Sequence, residues 1–213
     1  MKPTHIIPAA LLLTTVALYA NSGALLFDDF EDISEWTVQW AGGPGYNLPN
    51  VAEGTIFGFN DGYGAPTAAM TRRIDLHGLR AFRLETRATA SGSGSSQIQI
   101  CLFSTWENDW SGYLLNIDGE DYIYPARVRL YRIDRHRPTI LGTYNTFDVQ
   151  RWETYKLERT QDGGWSLFMG RYPVPDAAFS PDTTYTNFNH LGIMLDTSND
   201  KIDYLRLNST SDN

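Results

Sequence analysis

The sequence predicts an all-β domain, a jelly-roll β-sandwich of two curved antiparallel sheets. Short runs of β-branched and aromatic residues alternate with polar ones at a period of two, turn residues punctuate them at short intervals, and no 3.6-residue period is sustained. The composition agrees. Aromatic residues make up 13% of the chain and there are 18 glycines, which suits strands joined by tight turns better than helices.

The strands are expected, in order, at Leu25 to Phe30, Trp36 to Trp40, Ala81 to Thr89, Gln97 to Phe103, Gly112 to Ile117, Arg127 to Ile133, Trp152 to Arg159, Trp165 to Met169, His190 to Leu195 and Lys201 to Leu207. Asp118-Gly119 and Asp162-Gly163-Gly164 supply residues that accept positive φ, so each reads as the bend of a hairpin. Strand patterns flank the stretch from Ser91 to Ser96 so closely that it reads as a flexible loop and not as an interdomain linker. No internal repeat is evident.

Ahead of the first strand, Lys2 precedes an apolar run from Ile6 to Tyr19, and the small residues Ser22, Gly23 and Ala24 follow. That order is the pattern of a cleavable secretory signal, and the run is shorter than the roughly 20 apolar residues a bilayer core requires. Residues 1–24 are therefore expected to be a signal peptide, with the cut between Ala20 and Ala24, and residues 25–213 a single sandwich domain. Secretion to an extracellular or periplasmic space follows, with no membrane association after cleavage. The single cysteine, Cys101, can form no intrachain disulfide.

Removing the signal takes away Lys2 alone among charged residues, so the formal charge falls from −8 to −9. Such a balance argues against nucleic acid and anionic membrane surfaces as partners. About 190 residues can bury one sizeable core, and nothing in them resembles a linker.

Three segments carry a family resemblance: the opening Leu26-Phe27-Asp28-Asp29-Phe30-Glu31-Asp32 with Trp36, the Trp152–Gly170 hairpin, and the closing Ile202-Asp203-Tyr204-Leu205-Arg206-Leu207. Together they resemble concanavalin A-like, laminin G-like domains. The resemblance implies two curved antiparallel sheets and frequent glycan recognition, in a superfamily that holds binding modules, glycoside hydrolases and polysaccharide lyases. Fold alone does not choose among these.

Laminarinase-like hydrolases of this fold place three carboxylates at alternate positions on one strand, and no such triple occurs here. The nearest approach, Asp118-Gly119-Glu120-Asp121, reads as a turn. Alginate-lyase-like enzymes use an arginine-x-glutamate-x-arginine strand with a glutamine-isoleucine-histidine strand. Arg83-Leu84-Glu85-Thr86-Arg87 and Gln97-Ile98-Gln99 are similar to both, except that Gln99 replaces the histidine. In that reading Arg83, Arg87, Gln97 and Gln99 would neutralise a uronate carboxylate. The plainer reading of Arg83, Glu85 and Arg87 is a charged sheet face with cross-strand ion pairs. A lyase is thus favoured over a hydrolase if the protein is an enzyme at all.

A binding site leaves a fuller trace. Trp106, Asn108, Asp109 and Trp110, followed by Tyr113, set flat aromatic surfaces beside amide and carboxylate groups. Tyr122 and Tyr124 extend the platform. Aromatic faces cover the apolar side of a pyranose ring while polar groups take its hydroxyls. The alternative is that one tryptophan fills the core and the other plugs it half-exposed. Arg127, Arg129, Arg132, Arg135 and Arg137 form a basic cluster that either holds acidic sugars or protects an edge strand. His77, His136 and His190 lack metal-ligand spacing. No cofactor is required.

The family places the first and last strands near each other, which would bring Asp28, Asp29 and Glu31 towards Asp203 as ligands for a structural Ca²⁺. The alternative is that strand alternation sends Asp28 and Asp29 to opposite faces. Asn208-Ser209-Thr210 is a glycosylation sequon where a eukaryotic pathway secretes the chain. The function expected is a secreted, non-catalytic domain that binds a polysaccharide or glycoconjugate. A uronate-directed polysaccharide lyase and a structural extracellular domain are the alternatives.

Overall fold

The computed structural model describes residues 23–37, 49–57, 68–91, 96–106, 110–119, 125–146, 149–197 and 199–210. Among them the secondary structure is all strand: β1 (Ala24–Asp28), β2 (Trp36–Thr37), β3 (Asn50–Ala52), β4 (Thr55–Phe57), β5 (Ala68–Leu76), β6 (Phe82–Ala90), β7 (Gln97–Thr105), β8 (Ser111–Asp118), β9 (Ala126–Asp134), β10 (Arg137–Thr146), β11 (Glu153–Arg159), β12 (Trp165–Met169), β13 (Ala177–Phe179), β14 (Phe188–Leu195) and β15 (Asp200–Ser209).

They form two antiparallel sheets. The larger runs β13-β12-β11-β6-β15-β4-β3, with β1 also paired to β15; the smaller runs β10-β9-β8-β7-β14-β5-β2. The jelly-roll sandwich expected from the sequence is the one found. β6 and β7, the strands on either side of residues 91–96, lie in different sheets and so do not form a hairpin.

Alternation decides what lies between the sheets. Phe82, Leu84 and Ala88 of β6 and Leu157 of β11 face Ile98, Ile100, Leu102, Leu115 and Ile193 across one continuous apolar core. In β15 the core residues Ile202 and Leu205 stand three apart, which strict alternation forbids. A register shift between Ile202 and Tyr204 resolves this by returning Leu205 to the inner face.

The expected hairpin at Asp162-Gly163-Gly164 joins β11 to β12, with Gly163 at φ +86°. Only glycine takes that angle freely. The joint between β9 and β10 is less transparent. Arg135 and His136 both hold positive φ, 46° and 65°, as a tight two-residue turn requires, although neither is the glycine or asparagine that marks such turns in a sequence.

β1 pairs with β15, Phe27 opposite Arg206, so the first and last strands do lie side by side. The Gly23 carbonyl accepts a hydrogen bond from the Ser209 amide, and Ala24 stands opposite Asn208.

Candidate functional site

The outward face of the smaller sheet carries a groove of about 310 Å³, lined by Gln97, Gln99, Trp110, Leu114, Asn116, Arg129, Tyr131, Ile133, His136 and Pro138. Strand register builds it. Gln99, Asn116 and Arg129 stand opposite one another on β7, β8 and β9; Cys101, Leu114 and Tyr131 form the next outward row, and Phe103, Gly112 and Ile133 the one after. The surface therefore grades from polar amides and a guanidinium at one end to hydrocarbon at the other.

The apolar end is a second, smaller core. Cys101, Phe103, Trp106, Leu114 and Ile133 are buried there, with Trp110 and Tyr131 packed against them. Trp106 stacks at 4.7 Å on Phe103 and at 5.7 Å on His190, leaving it 8% exposed. Trp110 is half-buried, its ring edge-on to Phe103 at 5.6 Å and to His136 at 5.5 Å. The main chain fixes this corner, because the His136 amide donates to the Trp110 carbonyl at 3.2 Å. Of the two sequence alternatives for this pair, the structure shows one tryptophan as packing and the other as half-exposed wall. Every residue of β8 is buried as a result, since the core covers one face and this corner much of the other. Burial with no neighbouring charge pushes the Cys101 thiol well above its usual range, so the cysteine is packing and not a nucleophile.

At the polar end Asn116 is only 4% exposed, and its Oδ1 meets no hydrogen-bond donor among the described residues. A buried acceptor left empty costs about 1–3 kcal/mol, which a ligand hydroxyl would return. Beside it, Arg129 lies 3.4 Å from the buried Asp118 carboxylate and donates to the Tyr131 hydroxyl at 3.3 Å. The Gln99 amide reaches Gln97 at 3.5 Å. No motif in the sequence marks Asn116 or Tyr131 as a ligand residue, and His136 shows there only the absence of metal-ligand spacing. The available signal was Asn116 and Asp118 alternating with Leu115 and Ile117, polar residues aligned on one face of a strand.

Other candidates lie elsewhere. Tyr113 is a correction: alternation turns it inward, where it packs at 4.8 Å on Trp165 and donates its hydroxyl to Asp182 at 2.6 Å. Burial and that acceptor push its pKa strongly upward. Although burial works to raise the Asp182 carboxyl, hydrogen bonds from Tyr113, the Thr184 amide and Arg132 hold it below its usual value. Asn108, Asp109, Tyr122 and Tyr124 lie outside the described residues. The basic cluster is divided by the same alternation: Arg129 lines the groove while Arg132 turns to Asp134 and Asp182.

The lyase constellation is not assembled. Arg83 and Arg87 stand on β6 in the larger sheet and Gln97 and Gln99 on β7 in the smaller, each pair facing outward from opposite sides of the sandwich. Arg83 donates to Glu158 at 2.6 Å, Arg87 to Asp203 at 2.9 Å, and the Tyr204 hydroxyl to Glu85 at 2.8 Å. This is the charged face of cross-strand pairs.

The acids at the chain ends do not converge either, even though β1 and β15 are neighbours. Asp28 is buried and its oxygens accept from the Phe30 amide at 2.9 Å, the Trp36 indole at 2.7 Å and Arg72 at 2.8 Å. Asp29 is exposed, and Asp203 is paired with Arg87. Among the described residues no group of three or more His, Cys, Asp or Glu side chains could hold a metal ion. Three donors, one of them a guanidinium, already occupy most of the acceptor positions that Ca²⁺ would need at Asp28.

No family model matches the chain, and no curated protein matches it significantly. Solved structures do match in shape. The CBM2 module of the evolved Dit protein of Lactobacillus casei BL23 phage J-1 superposes with a TM-score of 0.62 at 9% identity, over 90% of this chain and 98% of that one. The exoplasmic/lumenal domain of VIP36, in a Ca²⁺/Man3GlcNAc-bound form, gives a TM-score of 0.62 at 8% identity over 91% and 90%. A protein described as a native glycosidic hydrolase gives 0.58 at 14% identity over 90% and 97%. Two antiparallel sheets in this order, matched over nearly their whole length by the CBM2 module, the VIP36 domain and the glycosidic hydrolase structure, identify the chain's fold as the concanavalin A-like jelly roll.

Proposed function

We propose that this protein is a secreted, non-catalytic glycan-binding domain and that the groove on β7, β8 and β9 is its site. The observation that carries the reading is that Asn116, whose Oδ1 has no donor among the described residues, lines the polar part of a groove whose other part is walled by Trp110 and Tyr131. A pyranose ring has the same two-sidedness. Its apolar face stacks on the rings, one hydroxyl donates to Asn116, and the Gln97, Gln99 and Arg129 side chains take others. The fold supports the reading, since a CBM2 module and the Man3GlcNAc-bound VIP36 domain share it. A cleaved signal ending between Ala20 and Ala24 would deliver the domain to the space where polysaccharides and glycoconjugates lie.

The test is retention of the protein on immobilised neutral and acidic polysaccharides, with absorbance of unsaturated uronates followed in the same samples. Retention on at least one glycan is expected, at least tenfold weaker in Trp110→Ala and Asn116→Leu. Retention that survives both substitutions places the site elsewhere. Release of unsaturated products would reinstate a lyase.

A further inference from the structure

A second cavity lies apart from the groove and shares no lining residue with it. It holds about 300 Å³ and is lined by Arg80, Arg159, Gln161, Thr183 and Thr186. Arg80 precedes β6, Arg159 ends β11, Gln161 begins the β11–β12 turn, and both threonines lie in the connection from β13 to β14. All five side chains can donate a hydrogen bond, and no carboxylate lines the space.

Arg159 is the unusual member. Its side chain is 1% exposed, its guanidinium lying over the rings of Tyr113 at 5.2 Å and Trp165 at 5.4 Å. One terminal nitrogen donates to the Tyr185 carbonyl at 2.6 Å and the other to the Asp182 carbonyl at 2.9 Å. The buried Nε finds no acceptor among the described residues. The nearby Asp182 carboxylate is spent on Tyr113, Arg132 and the Thr184 amide. Burial, and to a lesser degree the charge of Arg80, lower the Arg159 pKa. The guanidinium is thus hydrogen-bonded only to carbonyls, and the aromatic faces and a carboxylate already shared with Tyr113 and Arg132 offset only part of its desolvation cost, so this corner of an acidic protein can take a further counter-charge.

We propose that the cavity between Arg80 and Arg159 binds a small oxyanion, a sulfate or a carboxylate group. Planar guanidinium groups suit such oxygens through paired, charge-assisted hydrogen bonds, and Thr183, Thr186 and Gln161 complete the donor set. The anion is either a free ion or a group carried on an acidic sugar, and the chemistry that recognises it is the same.

Sodium sulfate and sodium acetate are titrated into the protein at an ionic strength held constant with sodium chloride, while the thermal midpoint is followed. A ligand that binds the folded state alone raises the midpoint and saturates. The expected result is a saturable rise, moved at least threefold to higher anion concentration in Arg80→Gln and unchanged in Trp110→Ala. Thr183→Val, on the exposed wall, supplies the same comparison if Arg80→Gln does not fold. Dextran sulfate against neutral dextran identifies the source: occupancy at far lower sulfate-group concentration than the free ion requires marks a sugar-borne anion, and equal occupancy marks the free ion. A rise of equal size in wild type and variants is the general effect of excluded salts on burial and overturns the proposal. So does the lack of any saturable rise.

Discussion

The Ser96 hydroxyl donates to the Asp200 carboxylate at 2.5 Å across 104 residues, joining the start of β7 to the start of β15 where the two sheets meet. The Thr197 amide donates to the other oxygen at 2.8 Å. Asp200 is fully buried, and desolvation outweighs these hydrogen bonds, raising its pKa to about 6.

The sign of the linkage follows. The folded state holds the Asp200 proton at pH values where the unfolded chain has lost it, so this stabilisation is complete below about pH 4 and is lost as pH rises through about 6. The shift corresponds to something on the order of 3 kcal/mol. Asp200→Asn, which keeps an acceptor for Thr197 and a neutral side chain, is expected to be more stable than the wild type at pH 7 and to lose that advantage towards pH 4. Denaturant titrations of both proteins at pH 4, 5, 6 and 7 measure it, and a constant difference would show that Asp200 does not titrate in this window.

Trp106 and Trp110 are expected to separate in two assays. Truncating the buried Trp106 to alanine should destabilise the fold by roughly 3–5 kcal/mol, because it removes the cover from Phe103 and His190. Trp110→Ala should change stability by under half as much and lose glycan retention. Equal melting points for the two variants would contradict the assignment of Trp106 as packing.

Asn116→Leu offers the opposite combination. Replacing a buried amide whose oxygen has no donor with an apolar group of similar volume is expected to leave stability unchanged or raise it by about 1 kcal/mol, with binding lost. If the domain is instead destabilised by several kcal/mol, Asn116 is a structural hydrogen-bonding residue and not part of a site.

Tyr113→Phe tests the inward placement. Loss of the hydroxyl leaves a buried Asp182 oxygen and the Tyr185 amide short of a partner, so a stability loss of about 1–3 kcal/mol is expected, with glycan retention intact. Weakened retention without loss of stability would return Tyr113 to the ligand.

Cys101, fully buried beneath the aromatic corner with a raised pKa, is expected to resist thiol reagents in the native protein and to react fully once the chain is unfolded. Rapid labelling of the native protein would mean that this corner opens.

The sequence made legible those strands whose two faces differ. In β6, β7, β11 and β12 apolar and polar residues alternate because one face meets the core, and each was placed within a residue or two. β10 was not, because it is an edge strand exposed on both faces for most of its first half and carries Pro138, so nothing imposes a period of two. The Arg135-His136 turn gave no signal, since its left-handed backbone is held by context and not by glycine or asparagine. β3, β4 and β13 are three residues each, too short to show a pattern.

The groove was half legible. A tryptophan pair beside a strand marks an aromatic surface, but which member is covered depends on how Trp106 and Trp110 each pack against Phe103, contacts that periodicity cannot relate. Sequence proximity also misled at Arg87 and Gln97. Ten positions apart, they belong to different sheets, Arg87 on β6 and Gln97 on β7.

The position of β15 in the larger sheet bears on how the molecule comes into being. It is the last strand in the chain, yet it lies between β6 and β4 and also holds β1. Until it arrives, β11, β12 and β13 can gather only around β6, while β1, β3 and β4 have no sheet to join. Such pairings, between positions nearly the whole chain apart, close large loops and form late. A nascent chain would therefore expose two unfinished sheet edges until β15 has emerged, and the larger sheet cannot close before then.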